Sequence, residues 1–264
     1  MITKSLYTGA EITWCRNCGN FGILGAFGSA LNELTDEIPL ENFVMVTGIG
    51  CHGKIFDYVD INSFYSLHGR AIATASGIKL ANENLKVICF VGDGDGYGEG
   101  MEHLIFAAKR NIDITVIVHD NRSYSLTTGQ FTPTSALDFK GKSTPKGPPE
   151  DPINPISLIM EAGATFVARG YSGYVDHLKE LIKKAVLHKG FSLVEVFQPC
   201  VIFYNTYDFY NSRVYKLENH DPSDYEKAYK VAKEWDYIKT DTKIPIGIIY
   251  ENKGKKTYEE RIKL

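Results

Sequence analysis

Two short apolar runs, residues 87–91 and 112–118, each stop at small and polar residues, and this pairing constrains the fold more than any other feature. Between them Met101, Leu104, Ile105 and Ala108 recur at helical spacing. Strand, helix and parallel strand make one βαβ unit. Gly92-Asp93-Gly94-Asp95-Gly96 follows the first run and Asp120-Asn121 follows the second. Both groups sit just beyond strand carboxyl ends, where open α/β sheets bind ligands.

The residue types there suit one chemistry. Asp93 offers a hard carboxylate and Asn121 a neutral amide oxygen, and neighbouring parallel strands bring the two ends together. Two such oxygens beside a glycine-rich backbone suit a Mg²⁺ ion that stays bonded to phosphate. Gly92, Gly94 and Gly96 let main-chain N–H groups approach the anion, and the following helix N-terminus favours its charge. The plain alternative is a tight βα turn with no ligand, since GDG alone is a weak motif. The Asn at the next strand end favours the ligand site.

The rest of the chain repeats the alternation. Strands are expected at 43–46, 165–168 and 192–197, and helices at 71–84, 156–161 and 175–188, with a small-faced helix after Cys18. This predicts an α/β fold with a doubly wound, mainly parallel sheet. Residues 141–149 are too polar and proline-rich for an element and read as a long ordered loop or lid. Residues 1–200 are read as the cofactor-binding domain. Residues 201–264 lose the pattern and are aromatic-rich; they are read as a C-terminal extension serving as a subunit interface, or as a tail folded back on its own domain. A net charge of −3 with no basic stripe gives no support for nucleic-acid binding. The N-terminal stretch has no apolar leader core, and no run approaches a membrane span, so a cytoplasmic protein with no membrane contact is expected.

Five cysteines, an odd number, argue against a disulfide framework. Cys15 and Cys18 form a C-x-x-C pair whose spacing lets two thiolates reach one metal centre. Cys51 and Cys200 each follow an expected strand end, on the same sheet edge as Asp93, whereas Cys89 lies inside a strand and reads as a small core residue. An iron–sulfur cluster, a structural zinc site, a thioredoxin-like pair and scattered core cysteines all stay open on spacing alone.

GDGDGYGEGMEHLIFAAKRNIDITVIVHDN resembles the thiamine diphosphate motif, a GDG followed about thirty residues later by an Asn, and with YSLTTGQFTPTS it resembles the β subunit of the 2-oxoacid:ferredoxin oxidoreductases. The resemblance runs from Trp14 to about Tyr258. It implies thiamine diphosphate and Mg²⁺ as cofactors, with Asp93, Asn121 and the main-chain oxygen of Ser123 on the metal. WCRNCGN, GIGCHGK and the Cys after FQP match the family's cluster positions, which implies one [4Fe–4S] cluster on Cys15, Cys18, Cys51 and Cys200. It further implies cofactor contacts from Gly50, Cys51, His52, Gly53, His68, Gly92, Gly94, Asp95, Ser125, Leu126 and Thr127. Lys54 is placed near the substrate carboxylate, and His68, Arg70, Leu126 and Thr127 are catalytic candidates beside it. Glu99 stands where many relatives carry an apolar residue.

The activity so implied is oxidative decarboxylation of a 2-oxoacid with coenzyme A to acyl-CoA, CO₂ and reduced ferredoxin. An α subunit, alone or fused with a γ subunit, supplies the activating glutamate, and a chain of this length is expected to be inactive alone. Two alternatives remain: a non-oxidative thiamine diphosphate-dependent decarboxylase or transferase subunit, which has no need of the four cysteines, and a non-catalytic four-cysteine zinc scaffold.

Overall fold

The computed structural model describes residues 6–263; residues 1–5, part of the stretch read for a leader, lie outside the described residues. One sheet of eight strands organises them. The strands are β1 (Phe43–Thr47), β2 (Asn62–Tyr65), β3 (Lys86–Gly92), β4 (Thr115–Asp120), β5 (Phe166–Tyr171), β6 (Ser192–Phe197), β7 (Val214–Lys216) and β8 (Ile244–Glu251). Their spatial order is β2-β1-β3-β4-β6-β5-β8-β7. All pairings are parallel except β5 with β8. From β1 the chain runs outward to β2, and from β3 it runs the other way to β4. The β1/β3 boundary is therefore the switch point at which loops diverge and leave a crevice.

Every residue of β1, β4, β5 and β6 is buried, the mark of a parallel sheet covered on both faces. On one face Phe43, Met45, Ile88, Phe90 and Ile117 pack under α1 (Asn20–Leu34) and α5 (Val175–Leu187). On the other, Val44, Val46, Val87, Cys89, Val91, Val116 and Val118 pack under α2 (Ala71–Ala81), α3 (Met101–Arg110), α4 (Pro155–Ala162) and α7 (Tyr225–Glu234). Cys89 thus points into the core, fully buried. α1 lies close to the loop after β5, because a Cβ on Gly22 would stand 2.0 Å from Ser172 O. Among the described residues no helix is long and apolar enough to cross a membrane.

Several expected boundaries move for identifiable reasons. β4 starts at Thr115 rather than 112, because Asn111 closes α3 in the left-handed region and Ile112 and Ile114 form a tight connection. β5 continues through Arg169 because Glu195 on β6 accepts from Arg169 Nε at 2.9 Å, both side chains fully buried. The glycine-rich segment after β3 is a wide helical turn, Gly94–Glu99, leading into α3. Residues 141–149 hold no helix or strand and line neither of the cavities described below.

Residues 201–263 pack on the rest of the chain. β8 pairs antiparallel with β5, α6 (Tyr207–Arg213) carries the buried Tyr210, and Tyr210 stacks on Phe197 of β6 at 4.4 Å between ring centroids. Trp235 is fully buried, and the buried guanidinium groups of Arg122 and Arg169 stand 5.6 and 5.7 Å from its ring. Trp235→Ala removes that packing and leaves two buried cations with less cover. The expected cost is about 3–5 kcal/mol, read as a lowered midpoint in urea unfolding. A shift within ~0.5 kcal/mol of wild type would show that the extension contributes nothing to the core.

Candidate active site at the strand ends

The carboxyl ends of β1, β3 and β4 enclose a cavity of about 70 Å³. β3 delivers Gly92, Asp93, Gly94 and Asp95; β4 delivers Asn121, Ser123 and Ser125; the loop after β1 delivers Gly50, Cys51 and His52. His68, Leu126 and Thr127 complete its wall, with Ile49 and Tyr124. A second cavity of about 190 Å³ adjoins it and shares Cys51, Asn121, Ser125 and Leu126. Cys15, Cys18, Cys51 and Cys200 all line this second cavity. A larger groove of about 460 Å³ lies between α2 and α3, on the helical face and away from the strand ends.

Asp93 is almost wholly buried, and its Oδ2 accepts from Thr132 Oγ1 at 2.5 Å and Thr134 Oγ1 at 3.0 Å. Both threonines therefore hold one oxygen, and the main-chain N–H groups of Asp93 and Asn121 also face the carboxylate. Burial raises the Asp93 carboxyl to about 6, against the lowering by these two donors. A cation at Oδ1 would act in the opposite sense, favouring the carboxylate. Asn121 Oδ1 accepts from Ser123 N at 3.0 Å, Ser123 Oγ at 3.1 Å and Ser125 Oγ at 3.2 Å. Its Nδ2 donates to Gln198 Oε1 at 3.0 Å, which turns the amide oxygen into the cavity. Hydroxyl protons rotate, so a cation could take a lone pair of Asn121 while Ser125 Oγ turns to Ser123 O, 3.4 Å away.

Asp95 organises the other wall. It accepts from Gly69 N at 2.7 Å and lies 3.4 Å from His52 Nε2 and 3.2 Å from His68 Nδ1. Gly48 permits this approach, since a Cβ there would stand 1.7 Å from Asp95 Oδ2. His119 lies behind His52, its Nδ1 2.8 Å from Asn20 Oδ1, and burial with the neighbouring His52 lowers its basicity.

In the cysteine cavity, burial pushes the Cys18 thiol up to about 12, and the other three lining cysteines push in the same direction. Cys51 is pushed up to about 11 by burial, then by Cys200, with Lys54 opposing. Such thiols stay neutral unless a cationic centre stabilises the thiolates. Among the described residues no three His, Cys, Asp or Glu side chains form a group that could hold a metal ion as they stand.

Residues 48–196 match the family described as thiamine pyrophosphate enzyme, C-terminal TPP binding domain, and residues 200–264 match the C-terminal family of the pyruvate ferredoxin oxidoreductase beta subunit. The β subunit of 2-oxoacid:ferredoxin oxidoreductase 1 from Aeropyrum pernix is 46% identical, over 94% of this chain and 80% of its own. This chain belongs to the β-subunit family of the 2-oxoacid:ferredoxin oxidoreductases. The corresponding subunit from Saccharolobus solfataricus is also 46% identical, over 94% of this chain and 85% of its own. The 2-oxoglutarate:ferredoxin oxidoreductase of Magnetococcus marinus, solved with 2-oxoglutarate, coenzyme A and succinyl-CoA bound, superposes with a TM-score of 0.93 at 36% identity. That match covers 100% of this chain and 89% of the other.

Not every expected site residue of this β subunit reaches a cavity. Lys54 lines the cysteine cavity, where its Nζ donates to Thr13 Oγ1 at 3.0 Å. Arg70 lines neither; its Nη1 donates to Gly69 O and Glu99 O, each at 3.3 Å. Gly53 also lines neither, and its N–H closes a turn on Gly50 O at 3.0 Å. Glu99 is half exposed and lies 3.5 Å from His68 Nδ1. Sequence reasoning did not single out Tyr124, Thr132, Thr134 or Gln198. The Thr-Pro-Thr-Ser stretch offered a signal in hydroxyl spacing alone, and Gln198 offered its place just past a strand end.

Proposed function

We propose that this β subunit holds thiamine diphosphate through Mg²⁺ in the smaller cavity and a [4Fe–4S] cluster in the larger. Its reaction is oxidative decarboxylation of a 2-oxoacid with coenzyme A to acyl-CoA, CO₂ and reduced ferredoxin. One observation carries the reading: the cavity lined by Asp93 and Asn121 shares a wall with the cavity lined by four cysteines. A non-oxidative enzyme needs only the first of these. The donor types fit both groups, hard oxygens for Mg²⁺ and thiolates for iron.

When bound, thiamine diphosphate supplies the carbanion chemistry that side chains lack, and the cluster takes the electrons singly. The chain's own residues do the rest. Asp93, Asn121 and the Ser123 carbonyl hold the cation, and Gly92 and Gly94 let main-chain N–H groups approach the diphosphate. Asp95 keeps His52 and His68 turned toward the same anion. Lys54 offers an ammonium for the substrate carboxylate, and Leu126 and Thr127 cover the cofactor, while Arg70 holds the Gly69 turn beside it. Cys15, Cys18, Cys51 and Cys200 take the iron corners.

A cavity of about 70 Å³ supports a shared site. Small-molecule sites span roughly 300–1,000 Å³, so this chain supplies the diphosphate end and an α subunit, alone or fused with γ, closes the remainder. Ferredoxin is the electron acceptor of the assembled enzyme, which works in the cytoplasm.

The cysteine set gives a direct test. Cys15→Ser, Cys18→Ser, Cys51→Ser and Cys200→Ser each lower iron content in anaerobically purified enzyme, because each thiolate holds one corner. Cys89→Ser keeps iron near wild type. Loss of iron from the Cys89 variant with retention in Cys200→Ser overturns the assignment. A colourless metal-loaded wild type means zinc, which is d¹⁰.

A further inference from the structure

We infer that Gln198 is a positioning residue that joins the two cofactor sites, fixing the Asn121 amide on one side and donating to the Cys18 thiolate on the other. It rests on the proposed cluster and Mg²⁺-bound cofactor. Gln198 follows β6 directly and is 1% exposed. Its Oε1 accepts from Asn121 Nδ2 at 3.0 Å, and its Nε2 stands 3.5 Å from Cys18 Sγ. The same Nε2 donates to Pro199 O at 2.9 Å. That carbonyl can only accept, so it fixes which end of the amide is nitrogen. The backbone is equally constrained, with Gln198 N donating to Asp120 O at 2.9 Å. A Cβ on Gly19 would lie 3.0 Å from Gln198 Cγ, so the side chain is packed as well as bonded.

Two consequences follow from one amide. On the Asn121 side, an acceptor at Nδ2 keeps Oδ1 turned into the cavity, the orientation a cation requires. Outer partners of this type set ligand orientation, and their loss costs about 10–100-fold in metal affinity. On the Cys18 side, an N–H directed at a ligating sulfur stabilises the negative charge that a cluster gains on reduction, and so raises its potential. The residue thus sets both how firmly the cofactor is held and how readily the neighbouring cluster accepts an electron from it.

Gln198→Glu and Gln198→Leu separate the roles. Glutamate keeps an oxygen for Asn121 Nδ2 and loses the donor to sulfur; leucine loses both. The assembled enzyme, produced with its partner subunit under anaerobic conditions, is measured for iron content, cluster midpoint potential by spectroelectrochemical titration, and thiamine diphosphate retention against Mg²⁺ concentration. The expected result is iron at the wild-type level in both variants and a lowered potential in both. Retention stays near wild type in the glutamate variant and weakens about 10-fold or more in the leucine variant. Should the leucine variant fail to assemble, Gln198→Met, uncharged and close in shape, replaces it, because a carboxylate lowers the potential by its charge alone. An unchanged potential in the uncharged variant overturns the sulfur contact, and wild-type retention in it overturns the Asn121 contact. Wild-type enzyme without iron or thiamine overturns instead the functional reading beneath both.

Discussion

Asp93→Ala abolishes Mg²⁺-dependent retention of thiamine diphosphate by the assembled enzyme. The carboxylate is the one charged oxygen donor among the proposed metal ligands, and Asn121 and a main-chain carbonyl contribute only neutral oxygens. Its environment favours one orientation: Thr132 and Thr134 both donate to Oδ2, so Oδ1 is the oxygen proposed for the cation. Losing an outer partner of a ligand costs about 10–100-fold in affinity, and losing the ligand itself costs more. The measurement is cofactor content after gel filtration across a Mg²⁺ series. Asp93→Asn refines it, because it keeps the shape and an acceptor for the threonines while removing the charge. If Asp93→Ala retains the cofactor at wild-type Mg²⁺ concentrations, Asp93 is a turn residue and the cation is held elsewhere.

What could be read from the sequence was the part written in periodicity and in strand-end position. Residues 87–91 and 192–197 are buried on both faces; the first is an unbroken apolar run and the second is interrupted by Glu195 alone after its opening serine, so β3 and β6 were legible almost to the residue. The clustering of Asp93 with Asn121 was legible because β3 and β4 are adjacent, one βαβ step apart. β2 was not, since Asn62–Tyr65 is an edge strand with three of its four residues exposed and no apolar pattern to betray it. The full length of β5 was hidden by Arg169, whose burial depends on Glu195, a residue 26 positions away. Thr132, Thr134 and Gln198 escaped for a related reason. Each acts on a partner distant in sequence, and a lone hydroxyl or amide carries no spacing rule. The packing of Trp235 between two buried arginines is likewise a tertiary fact. The interface reading of residues 201–264 leads to the expectation that cutting the chain after about Pro199 weakens assembly; since the cut would also remove β8 from the sheet, it reports on folding as well.

The purified chain alone reduces no acceptor dye with any 2-oxoacid, and addition of the α subunit restores turnover. The physical ground is the geometry of the strand ends. Asp93, Asn121 and the glycine-rich turn offer groups suited to an anion and its cation, yet the cavity they bound holds about 70 Å³. The open side is lined by Leu126 and Thr127, and Leu126 remains 43% exposed. Of the carboxylates within the cavity, Asp93 accepts two threonine hydroxyls on one oxygen, and Asp95 accepts from Gly69 N and has His52 and His68 within 3.4 and 3.2 Å. On the proposed reading both serve the diphosphate end, and the group that activates the far end of the cofactor comes from the partner. Anaerobic dye-reduction assays with a panel of 2-oxoacids, using this chain alone and then mixed with increasing α subunit, give the result directly. Activity should rise with added partner and saturate near equal stoichiometry, while iron content of the lone chain is already present. Full turnover by the lone chain would sink the shared site, and with it the placing of the activating group on another subunit.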